Sequence, residues 1–184
     1  MRTGPNQRPA RGQYVVAEGG AGRDEVDDLV TAWHRERPDL DVSPLEVLSR
    51  VTRLARHLDR ARSQSFASHG LETWEFDVLV ALRRAGEPYE LSPGRLLQQT
   101  LVTSGTMTNR IDRLAARDLV ERHPDPTDRR GVNVRLTPGG AAKADAALID
   151  LLTHERAILV GLDDVQRSML ADLLRLVVAP FDRA

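Results

Sequence analysis

The sequence predicts a mainly α chain with a small β wing: a winged helix-turn-helix whose N- and C-terminal helices form a dimerisation domain. Three observations carry that prediction. Two short helical segments flank an apolar turn between Leu91 and Asp118. Two β-type runs follow, separated by a turn-rich tip with paired arginines. Amphipathic helices on both sides of this stretch hold more apolar surface than so small a head can cover.

Residues 1–23 are rich in Gly, Pro and Arg, lack sustained periodicity and read as a disordered basic tail. An inert tail is favoured over an arm that touches DNA. Residues 24–70 hold two helices. Val26, Leu29, Val30 and Trp33 recur at i, i+3, i+4 and i+7, and Pro38 ends that stripe. Ser43-Pro44-Leu45-Glu46 reads as a capping box opening the next helix. Its expected buried stripe is Leu48, Val51, Leu54, Ala55 and Leu58, and His69-Gly70 closes it.

Residues 71–137 make the reading head. Thr73 is the expected cap of a helix from Trp74 to Leu82, apolar nearly all round apart from Glu75 and Asp77. At ~100° per residue, Asp77 falls between Val80 and Ala81, inside the apolar surface, where a carboxylate needs a partner. Tyr89-Glu90-Leu91 suits a short third strand. Ser92 and Pro93 open the first helix of the pair, and Leu101 and Val102 form the turn. Thr103-Ser104-Gly105 start the second helix, which runs from Thr106 to about Asp118. On that helix Met107, Ile111 and Leu114 share the buried side. Gly105, Thr106, Asn109 and Arg113 lie roughly opposite, and Arg110 sits on the flank. Val120-Glu121-Arg122 and Val132 to Leu136 are the wing strands. Residues 138–184 give a long helix from Thr137-Pro138, a break at Gly161, and a last helix from Val165 to Val178. Packing them wholly within one subunit is the alternative to a dimer interface.

Charge and side-chain chemistry point the head at nucleic acid. Ser92 to Leu136 holds eight arginines against five acids, a net +3 in a chain of net −1. Asn109 and Arg113 are types that bond adenine and guanine edges in the major groove. The arginine-bearing tip suits the minor groove or phosphates. The alternative is an ordinary surface hairpin with solvated arginines. A 184-residue chain with 41% hydrophobic and 29% charged residues is ordinary for one globular domain. The absence of cysteine excludes a disulfide framework, a thiolate metal site and a thiol redox sensor. No apolar run reaches ~18 residues and no signal-peptide core opens the chain, so a cytoplasmic protein without membrane contact is expected. Catalytic motifs are missing and the five histidines show no i, i+4 pairing, so neither an enzyme nor a metal or other cofactor is expected.

The run Thr103-Ser104-Gly105-Thr106-Met107-Thr108-Asn109-Arg110-Ile111-Asp112-Arg113-Leu114 resembles the MarR family of dimeric winged-helix regulators. Asp125 to Gly131 and Val134 to Gly140, with Asp128-Arg129-Arg130 and Leu136-Thr137-Pro138, strengthen the likeness. It spans about Val26 to Phe181. The resemblance implies that Asp128 orients Arg130 for the minor groove and that Arg129 contacts phosphate. DNA contacts are therefore expected from Ser104, Thr106, Thr108, Asn109, Arg113, Arg129 and Arg130.

Trp33 to Asp41, taken with Trp74-Glu75-Phe76-Asp77, is similar to the urate-responsive branch of that family. That likeness implies a ligand pocket of Trp33, Asp77 and Arg110; a bland structural ion pair of Asp77 with Arg110 is the alternative. A flat anion suits an indole face and a guanidinium fork. Without ligand, Asp77 is expected to hold Arg110 by a charge-assisted pair. The resulting expectation is a homodimeric repressor on a pseudo-palindromic operator in double-stranded DNA, released by an anionic aromatic metabolite such as urate. A phenolic-acid effector, or an architectural DNA-binding protein without ligand, are the other readings.

Overall fold

A computed structural model describes residues 22–100, 104–125 and 131–181. The predicted tail up to residue 21, the Leu101-Val102 turn with Thr103, and Asp128, Arg129 and Arg130 of the wing tip lie outside the described residues. Seven helices and three strands occur among those described, in the order α1 (Glu25–Glu36), α2 (Ser43–Ser68), α3 (Thr73–Arg84), β1 (Glu90–Leu91), α4 (Pro93–Thr100), α5 (Ser104–Ala116), β2 (Val120–Pro124), β3 (Val132–Leu136), α6 (Pro138–Ile158) and α7 (Asp164–Val178). The architecture is the expected one, mostly helical with a small antiparallel sheet. Two compact units divide the chain at Arg50 and Val51, within α2.

In the first unit, the Asp24 carboxylate caps α1 by accepting from the amides of Val26 and Asp27, and Asp27 returns the bond to the Asp24 amide. Arg50 donates to both acids, at 2.9 Å to Asp24 and 2.7 Å to Asp27. Val26, Val30 and Val42 form a small core. The expected α1 stripe splits there: Leu29 and Trp33, its other half, are exposed. The α2 start also differs from expectation, because Asp41 rather than Ser43 receives the bond, at 3.0 Å from the Ser43 amide.

In the second unit, α3 is the central element. Phe76, Val78, Leu79, Ala81 and Leu82 are buried and join Leu96, Met107, Ile111, Leu114, Val134 and Leu136 in one core. Fully burying each such aliphatic side chain contributes about 1.5–3 kcal/mol. The Phe66 and Phe76 rings stack with centroids 4.0 Å apart. The sheet runs β1-β3-β2, all antiparallel, with Val120 opposite Leu136 and Pro124 opposite Val132. Glu90 lies opposite Arg135 and the pair is bridged at 2.8 Å.

α6 starts directly from the wing. The Thr137 hydroxyl caps it by accepting from the Gly140 amide and donates to the Asp118 carbonyl at 2.8 Å. Gly140 is required there: a Cβ would stand 2.0 Å from the Leu119 carbonyl oxygen. The expected buried stripe of α2 is not buried, since Leu48, Val51, Leu54 and Ala55 are all exposed. α7, though amphipathic, contains no buried residue at all. Apolar periodicity marks a face that needs cover without saying that the same subunit provides it.

Candidate functional site

The reading helix α5 is fixed from one side and open on the other. Met107, Ile111 and Leu114 are buried as their spacing requires, while Gly105, Thr106, Thr108, Asn109 and Arg113 are exposed. Ser104 opens this helix, with its side chain outside the described residues. Asp112, on the same helix, receives Arg122 of β2 at 2.6 Å, so the wing and the reading helix are tied together. Helix, wing and α3 thus present one continuous head.

A cluster that the sequence reading did not foresee surrounds Trp74. Its indole N–H donates to Glu72 at 2.7 Å, and Glu72 also receives Arg113 at 2.6 Å. Arg113 lies over the indole ring at 4.7 Å from the centroid, and Arg110 lies over it at 5.2 Å. The indole N–H, and then Arg113, hold the Glu72 carboxyl below its ordinary range. One expected base reader is therefore already braced by a carboxylate and an aromatic face. The only sequence signal for this was Trp74 standing two residues after an acid.

Of the two α3 acids, Asp77 was expected inside the apolar surface, and it is Glu75 that lies there. Glu75, at 1% exposure, is the buried one. It accepts two bonds from Arg117, at 2.5 and 2.6 Å, and one from the Glu72 amide at 2.9 Å. Arg117 also donates to the Gly70 carbonyl at 2.7 Å, anchoring the end of α5 to the α2–α3 junction. The cap of α3 is Glu72, with Glu75 closing the box, rather than Thr73.

Asp77 is exposed by comparison and makes no hydrogen bond with Arg110 among the described residues. The expected charge-assisted pair is absent because Arg110 turns to the Trp74 face instead. Burial raises the Asp77 carboxyl above its ordinary range, and Arg110, Arg62 and Arg84 pull against that shift through space. Asp77 lines a cavity of about 490 Å³ between α2, α3 and α6, together with Asp59, Arg62, Phe66, Thr73 and Phe76. Trp33 belongs to the first unit, on the exposed side of α1. No group of three metal-binding side chains occurs among the described residues.

The MarR family model matches residues 69–131, which span α3 to the wing. The HTH-type transcriptional regulator PecS of Dickeya dadantii is 37% identical over 150 residues, covering 82% of this chain and 90% of PecS. The chain belongs to the MarR family. MarR-family members are DNA-binding regulators rather than enzymes, and the head described above is the family's winged helix. A crystal structure of a mutant Escherichia coli MarR complexed with operator DNA is similar at a TM-score of 0.60 and 28% identity, over 76% of this chain and 99% of that one. A structure concerning regulation of DNA binding of Bordetella bronchiseptica BpsR by 6-hydroxynicotinic acid is similar at 0.54 and 30%, over 69% and 91%.

Proposed function

We propose that this MarR-family chain is a homodimeric, ligand-responsive repressor of transcription that reads a pseudo-palindromic operator with α5. The observation that carries the reading is the two-sided α5, with Thr106, Thr108, Asn109 and Arg113 exposed opposite buried Met107, Ile111 and Leu114 beside a three-stranded wing. Asn109 and Arg113 supply base-edge bonds. Ser104, Arg129 and Arg130 supply phosphate and minor-groove contacts. The operator complex of the Escherichia coli relative supports this assignment.

A second copy of the chain covers the open apolar helices. Val165, Met169, Leu173 and Val177 recur along α7 with exposures between 49% and 72%, too much apolar surface for one exposed helix of a monomer. Two heads about one helical turn apart, ~34 Å, then require a pseudo-palindrome. No helix among the described residues is long and apolar enough to cross a membrane, and a DNA partner fits a cytoplasmic protein.

The effector is a flat anionic aromatic molecule such as urate; the resemblance assigns it Trp33, Asp77 and Arg110, and of these Asp77 lines a cavity. Likeness to the urate-responsive branch supports it, as does the regulation of BpsR by a hydroxypyridine carboxylic acid. The cavity beside Asp77 is large enough for such a molecule. The test is fluorescence anisotropy with a duplex from upstream of the protein's own gene and a random duplex of equal length. Titrations with urate, 6-hydroxynicotinate and salicylate follow at fixed salt. Preference for the upstream duplex, lost on adding a ligand, is expected. Equal binding of both duplexes, unaffected by any ligand, would return the chain to an architectural DNA-binding role.

A further inference from the structure

We infer that Arg62 of α2 is the ligand's main cationic partner in the Asp77 cavity, and that the ligand takes it from Glu155 of α6. The inference rests on the ligand-responsive reading above and adds a residue and a route to it. Arg62 lines the cavity with Asp77, whereas Arg110 does not line it and is committed to the Trp74 face. Arg62 donates through Nε and Nη2 to a single oxygen of Glu155, at 3.1 and 2.8 Å. Both donors converge on Oε1, so the fork is not matched to the two carboxylate oxygens in the bidentate way that makes such pairs strong. The pair is also partly solvated, with side-chain exposures of 45% and 28%, which weakens it further. A ligand able to offer two acceptors in the plane of the guanidinium can therefore compete for it.

The other walls define what that ligand is. Phe66 and Phe76, stacked on each other, give an apolar wall suited to a flat ring. Asp59 and Asp77 are acceptors and would repel a ligand that is anionic on every edge. The fitting chemistry is a planar lactam heterocycle, with carbonyl or anionic oxygens toward Arg62 and a ring N–H toward Asp77. Donation of that N–H satisfies a carboxylate for which no hydrogen-bond partner occurs among the described residues. A benzoate-type anion has no ring N–H to give and is the poorer ligand. Binding of the lactam releases Glu155 near the end of α6, so occupancy is felt first in that helix.

Calorimetry on the full-length protein tests this with urate, 6-hydroxynicotinate and benzoate as probes. Arg62→Gln should weaken urate binding about tenfold or more, with Arg62→Lys between it and wild type, while operator binding without ligand persists. Glu155→Gln should leave urate binding unchanged or tighten it, because the competitor for Arg62 is gone. That opposite response separates a ligand contact from a structural brace. Equal weakening by Arg62→Gln and Glu155→Gln would overturn the inference, since Arg62 would then act only by holding α6. Urate binding within twofold of wild type in Arg62→Gln, with losses in Trp33→Ala and Arg110→Ala, would overturn it and leave the ligand-responsive reading intact. Failure of the wild-type protein to bind any of the three probes would overturn both.

Discussion

Removing Arg117 should cost more than removing the charge of its partner, because the two ends of the pair are unequally exposed. Glu75 is 1% exposed and the Arg117 side chain 39%. In Arg117→Ala a buried carboxylate keeps, among the described residues, the Glu72 amide as its one donor, and the Gly70 carbonyl loses the Arg117 donor. Stranding one member of a buried pair costs about 3–5 kcal/mol, and the surviving amide bond places this case near the lower end. In Glu75→Gln the buried group becomes neutral and still accepts a bond, while Arg117 can turn to water. A loss of about 1–2 kcal/mol follows. The double variant should resemble Glu75→Gln alone, since it holds no buried charge. Urea unfolding followed by circular dichroism gives all three values from midpoints at unchanged slope. If Arg117→Ala loses no more stability than Glu75→Gln, the argument from unequal burial is wrong.

Three further outcomes follow from the same geometry. Gly140→Ala forces a methyl against the Leu119 carbonyl and should destabilise by about 2–4 kcal/mol, despite the ~1 kcal/mol that alanine adds to a helix; a raised urea midpoint would contradict the close approach. Asp77 holds its proton more tightly in the folded chain, so its charge opposes folding above its folded pKa and that penalty vanishes below the ordinary carboxyl range. Asp77→Asn should therefore raise the melting temperature at neutral pH and lose the advantage toward pH ~4, as paired thermal scans would reveal. Glu72→Gln should free Arg113 for phosphate, tightening binding to random DNA and steepening the log–log salt dependence by about one unit, read from anisotropy titrations.

The reading head was legible because its signals are local. The 3.6-residue spacing of Met107, Ile111 and Leu114 fixes their common face, and β-type runs around a turn leave few alternatives to a hairpin. Arg117 meeting Glu75 was not legible, since the pair joins residues 42 apart in sequence and no spacing rule reaches that far. That Glu75 rather than Asp77 is the buried acid was not legible for a related reason. Both acids fall within a helix that is apolar nearly all round, and periodicity cannot rank two positions on a surface buried on most sides. Capping was misjudged by a residue or two at α2 and α3, where Asp41 accepts from the Ser43 amide and Glu72 rather than Thr73 is the cap residue. The exposed Leu48 and Val51 of α2 teach something different: apolar spacing marks a face without saying whether its own core covers it.

The junction at Thr137 has a mechanical consequence. Strand β3 passes into α6 with no linker, and Thr137 bonds both Asp118 and Leu119, so head and helix turn as one piece. α6 has 21 residues, which at 1.5 Å each make an arm of about 31 Å. Pivoting that arm by about 5° at its far end sweeps the head through roughly 2.7 Å, close to the whole length of a hydrogen bond. Glu155 sits near that far end. In the dimer proposed above, a slight change of angle where the helix is held would be enough to put both heads out of step with the groove, with no deformation of the surface that meets the bases.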